Sequence, residues 1–418
     1  MMKKLVVLIL KKTGVVLFYI VLLVNLFILF SGKTYLYEGI FQTYLHGRSS
    51  PGIYDLPNFH KRNISQSTSP IPWAINTGKD AISLSKSEEE YHQQFDSKAF
   101  IILQNDTIIY EKYWDEHSIG KVSNSFSMSK SIVSLLLGIA LEEKKIKNLD
   151  EPVWHYLPEF KTYGRKSITL RHLLSMSSGF EWNESGSNPL SENAEAYYTD
   201  DLYDLMMRQR LVTDPGKAFI YQSGNTQVLG HVLEKATGIN LSNYAASKLW
   251  GPLGAENPAY WSLDRENGNE KSFCCYYATA RDFARIGSLL VNKGTFSGKR
   301  IVSEAYMNEV VKWGDLSTME GIRNQRYGLH FWAYKSGSEW VYYCIGFKGQ
   351  LIITIPSRKI VIVRIGNDRD RDVRAVDVFL SKTGMINKNI ISQIGHPRDL
   401  FVYLKMVNRM LNQKSPKR

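Results

Sequence analysis

The sequence is poor in cysteine and lacks any recognisable metal-binding signature. Its 418 residues contain three cysteines, Cys274, Cys275 and Cys344. None of them has the spacing to histidine that a zinc site requires, and no H-E-x-x-H motif occurs. Because three is an odd number and adjacent cysteines rarely bond to each other, we expect three small buried thiols rather than a disulfide framework. The sequence therefore predicts neither a metal ion nor a cofactor.

A basic excess on the folded part of the chain is also missing. The net charge is +12, but four lysines lie within residues 3–12 and a further excess of Lys and Arg lies within residues 398–418. A nucleic-acid-binding protein usually carries its basic excess on the folded domain. Basic ends are instead typical of a chain near a membrane surface. We therefore exclude nucleic acid as a partner and expect membrane proximity.

One long apolar run lies near the N-terminus. Residues 14–30 are apolar except for Asn25, and lysines precede them. The run is long enough to cross a bilayer when tilted, and no A-x-A cleavage site follows it. We interpret residues 1–32 as cytoplasmic lysines and an uncleaved signal anchor in the cytoplasmic membrane, with a cleaved signal peptide as the alternative. The lysines place the rest of the chain on the extracytoplasmic, periplasmic side.

Strand patterns lie at the two ends of the main domain and helix patterns lie between them. Residues 98–113 and 351–365 each indicate a β-hairpin of apolar strands. Residues 167–283 are mainly helical in pattern, and residues 371–380 indicate another helix. This order predicts an α+β fold, in which an antiparallel sheet is flanked by helices and interrupted by an all-helical subdomain.

Composition predicts three segments after the anchor. Residues 33–95 are polar and contain four prolines, so we expect a stalk or N-terminal extension. Residues 96–384 form the main domain. Residues 385–418 form a basic amphipathic tail, whose last helix begins at Pro397. That helix either lies on the membrane or packs on the domain or a partner.

The strongest chemical signal is an S-x-x-K motif that opens an apolar helix. Ser127 and Lys130 lie three positions apart, so they share one helix face and the amine lies beside the hydroxyl. Because burial disfavours the charged form of an amine, such a lysine can take a proton from serine. The motif alone is weak, since Ser83 and Lys86 form a second copy. That copy leads into three consecutive glutamates, which predict a solvated face rather than a buried helix.

Three ordered segments resemble one family of serine hydrolases. They read SFSMSKSIVSLLLGI at residues 125–139, RHLLSMSSG at residues 171–179 and YYATARDFAR at residues 276–285. This pattern is similar to class C β-lactamases, serine esterases of that fold and 6-aminohexanoate-dimer hydrolases. The resemblance covers roughly residues 100–380. It implies the β-lactamase/transpeptidase-like fold and an acyl-enzyme on Ser127.

The resemblance also implies a tyrosine on a loop facing the serine. Tyr221 matches the first residue of the family's Y-x-N element, and Ser223 occupies the usual Asn position. A tyrosine oxygen there can pass a proton to the leaving group, and the Ser223 hydroxyl can bind the lysine or the substrate. Two alternatives stay open. Tyr306 begins a literal Y-x-N, and Ser223 with Asn225 forms a literal S-x-N.

The third element of the resemblance lies before the second hairpin. Residues 344–350 resemble the family's G-x-x-G-Q segment, which predicts an oxyanion and substrate-binding strip of Gly346, Phe347, Lys348 and Gly349. A backbone N–H near Phe347 would complete the oxyanion hole. Cys344 stands where β-lactamases have lysine, which weakens a β-lactam substrate. A literal K-T-G at residues 382–384 is rejected because it follows a predicted helix and no hairpin follows it.

These patterns predict a serine hydrolase that acts on amide, ester or D-amino-acid peptide bonds of a small molecule or peptide. The alternative is a catalytically silent protein that keeps the fold to bind cell-wall fragments. His172, Asp282 and Arg285 lie in the matched segments, and we expect structural roles for them. Substrate choice is expected in the loops at residues 183–201 and 261–272, which contain no recognisable motif.

Overall fold

The first predicted hairpin forms as expected. Strand β3 (Ser97–Gln104) pairs antiparallel with β4 (Thr107–Tyr113). The turn residues Asn105 and Asp106 have left-handed backbones, with φ of 51° and 55°. Asn and Asp tolerate this conformation better than other side chains do, so the local sequence explains the reversal.

The hairpin belongs to a seven-stranded sheet in the computed structural model, which describes residues 2–76, 82–370, 373–374 and 395–412. The strand order is β10-β11-β12-β13-β3-β4-β2. Neighbours are antiparallel except at the β2 edge, where β2 runs parallel to β4. The added strands are β2 (Ala74–Ile75), β10 (Trp332–Ser336), β11 (Glu339–Gly346), β12 (Gln350–Ile355) and β13 (Ile360–Gly366). Strands β12 and β13 are the second predicted hairpin.

One face of this sheet is covered by helix α10 (Ala280–Val291). The helix approaches so closely that a Cβ on Gly287 would lie 2.3 Å from Cγ1 of Val361. Only glycine permits this approach without displacing the Val361 side chain. The sheet thus buries apolar strands against the helix that begins within the third matched segment.

The opposite face is covered by the C-terminal helix α12 (Arg398–Asn412). Its apolar residues share a core cluster with alternate residues of the sheet, and its members are Leu400, Tyr403, Met406, Val407 and Met410. Burying each such side chain stabilises the fold by roughly 1.5–3 kcal/mol. The sequence left open whether this helix lies on the membrane or packs on the domain or a partner, and in the structure it packs on the domain.

The region between the two hairpins is mainly helical, but it also contributes strands. Its helices are α4 (Ser129–Glu142), α5 (Leu170–Leu174), α7 (Leu202–Met207), α8 (Ser223–Thr237) and α9 (Leu241–Ala245), the last continuing as a π-helical turn (Ala246–Trp250). A four-stranded sheet in the order β1-β6-β7-β5 accompanies them. Its strands are β1 (Lys61–Ile64), β5 (Ser123–Asn124), β6 (Ala259–Ser262) and β7 (Tyr276–Ala278). The expected α+β fold with a sheet flanked by helices is confirmed, and the regular elements from Ser129 to Trp250 are all helices.

The remaining elements are short. They are α3 (Lys86–Gln94), α11 (Glu304–Val310), the β8–β9 hairpin (Thr295–Phe296 and Lys299–Arg300) and the pair β14–β15 (Val373–Arg374 and His396–Pro397). The helix predicted at residues 371–380 lies outside the described residues except at β14, which is a strand. The K-T-G at residues 382–384 and the predicted boundary after residue 384 also lie outside them.

The chain divides into two units. One comprises Met1–Pro51 with Asn183–Asp200, and the other comprises Gly52–Trp182 with Asp201–Arg418. The first contains α1 (Met2–Ser31), α2 (Tyr35–Gln42) and α6 (Glu192–Tyr198). Within α1, Leu10–Ser31 is long and apolar enough to cross a membrane, and its side chains are mostly exposed.

The predicted N-terminal extension crosses the boundary between the units. Residues 52–76 and 82–95 belong to the second unit, where they supply β1, β2 and α3. Helix α3 begins with a capping box, in which the Ser85 hydroxyl accepts from the Glu88 N–H and the Glu88 carboxylate accepts from the Ser85 N–H. The segment predicted as a stalk therefore contributes two short strands and one helix to the main unit.

Candidate active site

Ser127 lies in a tight 3-10 turn (Phe126–Met128), here called the nucleophile turn, between β5 and α4. Phe126 has a left-handed backbone with φ of 44°, and its N–H donates to Asn124 Oδ1 at 2.8 Å. Strained residues of this kind cluster at functional sites. The turn leaves Ser127 partly exposed while its neighbours Phe126 and Met128 are buried. The regular helix begins at Ser129, two residues later than predicted.

Lys130 lies at the start of α4 and is only 1% exposed. Its ammonium donates to Ser127 Oγ at 2.8 Å and to the carbonyl of Phe273 at 3.0 Å. The rings of Tyr221 and Phe273 lie 5.2 and 5.8 Å from Nζ. The structure thus brings Ser127, Lys130 and Tyr221 together in a mostly aromatic surround.

Tyr221 lies in the extended segment before α8. Its ring packs against those of Tyr327 and Trp332, with centroids 5.8 and 5.7 Å away. Ser223, in the usual Asn position, is the first residue of α8 and is 2% exposed. The aromatic contacts hold the Tyr221 ring beside the lysine, which fits a role in proton transfer.

Two of the competing motifs, the Y-x-N at Tyr306 and the S-x-x-K at Ser83, lie elsewhere. The Tyr306 hydroxyl donates to the carbonyl of Ser134 at 2.8 Å, and its ring is buried at α11. Lys86 is on α3 with 93% of its side chain exposed, at 4.0 Å from Glu90. Tyr306 therefore has a packing role, and the second S-x-x-K copy lies on a solvated surface as expected.

His330 is a buried residue near the lysine that the sequence did not reveal. Its Nε2 lies 2.9 Å from Thr226 Oγ1 on α8, and its carbonyl accepts from Ser131 Oγ at 2.6 Å. Burial and, to a smaller extent, the positive charge of Lys130 lower the pKa of His330 to about 3. The imidazole is therefore neutral near pH 7 and adds no charge to the site. No motif surrounds His330 in the sequence, so only tertiary contacts could identify it.

The predicted oxyanion strip, residues 346–349, forms the turn between β11 and β12. A Cβ on Gly346 would lie 2.1 Å from the carbonyl oxygen of Ser125, so this backbone passes directly against the nucleophile turn. The ring of Phe347 meets that of Phe126 edge-on at 5.4 Å. The structure therefore places the strip next to Ser125 and Phe126, just before Ser127, at an approach that needs glycine.

Lys348 and Gly349 shape this turn through their backbones. Both are left-handed, with φ of 62° and 79°. The Lys348 ammonium donates to Asn367 Oδ1 at 3.1 Å. That contact orients the charge toward Asn367, and a role for Lys348 in binding substrate stays a prediction.

Two side chains hold the carbonyls of the same turn. Arg364 on β13 is 0% exposed, and its Nη1 donates to the carbonyls of Lys348 and Gly349 at 3.0 and 2.9 Å. Gln350 Nε2 donates to the carbonyl of Phe347 at 3.0 Å. The carbonyl oxygens of residues 347–349 therefore all accept hydrogen bonds from buried side chains, and these bonds make the turn rigid. Gln350 belongs to the G-x-x-G-Q segment that the sequence analysis identified, whereas no sequence motif indicated a role for Arg364.

The cysteine prediction is wrong in one respect. Cys274 and Cys275 form a disulfide, whereas Cys344 is a free, buried thiol whose pKa burial raises to about 12. Neighbouring side chains in an extended strand point to opposite faces. The left-handed backbone of Cys275, with φ of 65°, breaks that alternation. All three cysteines are buried, as expected.

Three other residues of the matched segments have structural contacts. His172 Nδ1 accepts from the Thr169 N–H at 3.3 Å and caps α5. Asp282 and Arg285 form a fully buried ion pair at 2.9 Å. Within the described ranges, no group of three or more His, Cys, Asp or Glu side chains is arranged to hold a metal ion.

Sequence comparison matches residues 84–381 to the beta-lactamase family model. The 6-aminohexanoate-dimer hydrolase of Paenarthrobacter ureafaciens is 27% identical over 297 residues, which cover 66% of this chain and 74% of that protein. The teichoic acid D-alanine hydrolase of Staphylococcus aureus strain MRSA252 is 29% identical over 161 residues, or 38% of this chain and 36% of that protein.

Solved structures share the fold. A Bacillus anthracis protein assigned as a 6-aminohexanoate-dimer hydrolase superposes with a TM-score of 0.69 at 21% identity, over 87% of this chain and 94% of that one. A family VIII carboxylesterase superposes with a TM-score of 0.58 at 17% identity, over 78% and 98%. At these identities the likeness concerns the fold alone.

Proposed function

The chain belongs to the beta-lactamase family, and on that premise we propose that it is a membrane-anchored serine hydrolase that forms an acyl-enzyme on Ser127. The family includes serine hydrolases that act on amides, esters and D-amino-acid substrates. One observation carries the proposal: Nζ of the buried Lys130 lies 2.8 Å from Oγ of the partly exposed Ser127. A nucleophile paired with a potential base at this distance is the arrangement that covalent catalysis needs.

The proposed reaction has two halves. Ser127 Oγ attacks the substrate carbonyl, and neutral Lys130 accepts the hydroxyl proton. Tyr221 passes its proton to the leaving amine or alcohol and takes the serine proton back from Lys130, so an acyl-enzyme remains on Ser127. Water then attacks the ester and the acid is released. The backbone N–H groups of Ser127 and Phe347 are the proposed donors to the oxyanion.

The substrate is an amide, an ester or a D-amino-acid peptide. The names of the relatives point to a 6-aminohexanoate dimer for one and to D-alanine on teichoic acid for the other. We propose a hydrolysis screen over short amides, activated esters and D-Ala peptides, run together with labelling by fluorophosphonate and penicillin probes. Turnover in one substrate class with covalent labelling supports the proposal. No turnover and no labelling would favour the silent binding protein.

Replacing Tyr221 with phenylalanine separates proton delivery from positioning. An activated ester releases a phenolate that needs no proton, so its acylation should slow only mildly. An amide nitrogen must be protonated to leave, so amide hydrolysis should slow on the order of 10²–10⁴-fold. The measurement is kcat/KM of both substrates for Tyr221→Phe.

The matched control is Tyr334→Phe on β10, whose ring packs against His396 and Phe401 rather than the nucleophile. It should leave both rates near those of the unmodified protein. Equal losses on ester and amide in Tyr221→Phe would mean that the tyrosine positions Lys130 or the substrate instead.

We also propose that α1 stays as an anchor, with the catalytic unit outside the cytoplasm. The exposed apolar run and the preceding lysines support this orientation. The Cys274–Cys275 disulfide fits it as well, because disulfides persist mainly in oxidising compartments.

In a bacterial host, the full chain should sediment with membranes and resist extraction by salt. Protease added to spheroplasts should degrade the catalytic unit while a cytoplasmic marker stays intact. Protection of the catalytic unit in intact spheroplasts would show that this unit is cytoplasmic and contradict the proposed orientation. Release by salt alone would contradict the proposed anchor.

A further inference from the structure

The loop at residues 271–275, here called the disulfide loop, contacts helix α4 through two consecutive carbonyl groups. The carbonyl of Ser272 accepts from Ser129 Oγ at 2.8 Å, and that of Phe273 accepts from Lys130 Nζ at 3.0 Å. Lys130 therefore has two fixed acceptors, Ser127 Oγ and the Phe273 carbonyl. The direction of the ammonium depends on both.

The disulfide loop is also tied to the helix that follows Tyr221. The Ser272 N–H donates to Gln227 Oε1 at 2.9 Å, and Ser272 Oγ donates to the carbonyl of Thr226 at 3.0 Å. Both partners lie on α8. The loop thus connects α4, whose first turn contains Lys130, with α8, which begins two residues after Tyr221.

The Cys274–Cys275 bond lies directly beside these contacts. It closes a small ring through the peptide bond between the two residues, so it restrains the backbone of both. Cys275 is left-handed, a conformation that side-chain-bearing residues rarely adopt without restraint. Trp261 Nε1 donates to the carbonyls of Lys271 and Cys274 at 3.0 and 2.9 Å, which fixes the loop on its far side. The peptide that contains the Phe273 carbonyl is joined to this restrained ring at Cys274.

We propose that the Cys274–Cys275 disulfide is a redox-sensitive positioning element for Lys130, and that its reduction slows acylation of Ser127. This inference rests on the proposed function. Neither cysteine reacts with substrate. The oxidised ring holds the Phe273 carbonyl against the ammonium, and the reduced loop releases Cys275 from its left-handed backbone and shifts that carbonyl.

The redox step balances with a small dithiol as the reductant. A thiolate of the dithiol attacks one protein sulfur and forms a mixed disulfide. Its second thiol then displaces the protein thiol. The protein gains two electrons and two protons as two thiols, and the dithiol becomes a cyclic disulfide. Cys274 is 4% exposed and Cys275 is 0% exposed, so a small reductant is needed.

The test compares oxidised, reduced and reoxidised full-length protein in detergent. Peptide mass spectrometry first establishes that residues 274 and 275 are bonded in protein purified without reductant. Treatment with dithiothreitol should then lower kcat by about 10- to 100-fold with little change in KM, because a displacement near 1 Å in a catalytic group costs about this much. Reoxidation should restore the rate.

Two variants distinguish the effect of reducing the Cys274–Cys275 bond from other effects of the reductant. Cys274→Ser/Cys275→Ser should show the low kcat of the reduced protein with or without dithiothreitol. Cys344→Ser should keep the same ratio of oxidised to reduced activity as the unmodified chain, since Cys344 is already a free thiol. A fully reduced protein with unchanged kcat would overturn the proposal, as would two free thiols at residues 274 and 275 in the purified protein.

A second measurement does not depend on substrate. Amide hydrogen exchange in the nucleophile turn and in the disulfide loop should become faster after reduction, and unchanged exchange would overturn the proposal. If the oxidised protein hydrolyses nothing, the proposed function fails, and the exchange result still decides whether the bond controls the site.

Discussion

A Ser127→Ala variant is expected to lose turnover by on the order of 10⁴–10⁶-fold, together with all covalent labelling. The physical reason is that the proposed mechanism forms its acyl-enzyme on the Ser127 oxygen alone. Ser127 is partly exposed in its turn, so loss of one hydroxyl should change Tm by no more than about 2 °C. Steady-state hydrolysis, probe labelling and a thermal melt measure the three effects.

The matched control is Ser83→Ala in the second S-x-x-K copy. Ser83 is exposed, and its partner Lys86 is solvated on α3. This variant should keep full turnover and full labelling. Mass spectrometry of the labelled, unmodified chain should place the adduct on Ser127. An adduct on Ser83 would refute the assignment of the nucleophile.

A Lys130→Arg variant is expected to lose activity by several orders of magnitude, on the order of 10³-fold or more. A guanidinium stays protonated at every useful pH, so it cannot take the proton of Ser127. Its planar group also cannot reproduce the contacts of a compact ammonium with Ser127 Oγ and the Phe273 carbonyl, at 2.8 and 3.0 Å. The rate of acylation, followed by probe labelling under single-turnover conditions, reports this step directly.

Lys86→Arg tests the same exchange on a solvated lysine and should change neither rate nor Tm. Circular dichroism and a thermal melt of Lys130→Arg show whether the buried site accepts the larger group. If a folded Lys130→Arg chain keeps activity within about tenfold, the lysine is not the base, and the proton of Ser127 must leave through another group such as Tyr221.

Much of the framework followed from local patterns. The two hairpins, the buried helix after Ser127 and the last helix after Pro397 were all predicted and are present. The pairing of Ser127 with Lys130 followed from helical spacing alone. The resemblance to a family supplied Tyr221 and the turn at residues 346–349, which helical or strand periodicity would not have found.

Two of the missed features, His330 and Arg364, have no motif around them, and each acts through contacts with distant segments. The Cys274–Cys275 bond joins adjacent residues and accompanies the left-handed backbone of Cys275. Arg364 holds a turn from a neighbouring strand, and His330 contacts α8 and α4. The four-stranded sheet was not predicted, because β6 and β7 are short and their outer partners β1 and β5 lie far from them in sequence.

The sequence by itself determined the elements, the apolar N-terminal run and the nucleophile with its lysine, because these depend on residues within a few positions of each other. The tertiary structure decided which carbonyl holds the lysine, which backbone lies beside the serine and which cysteines bond. The Phe273 carbonyl is 143 positions from Lys130, and the turn at Gly346 meets the carbonyl of Ser125 from a different sheet. Contacts over such separations are set by how the whole core packs, and periodicity along the chain contains no information about them.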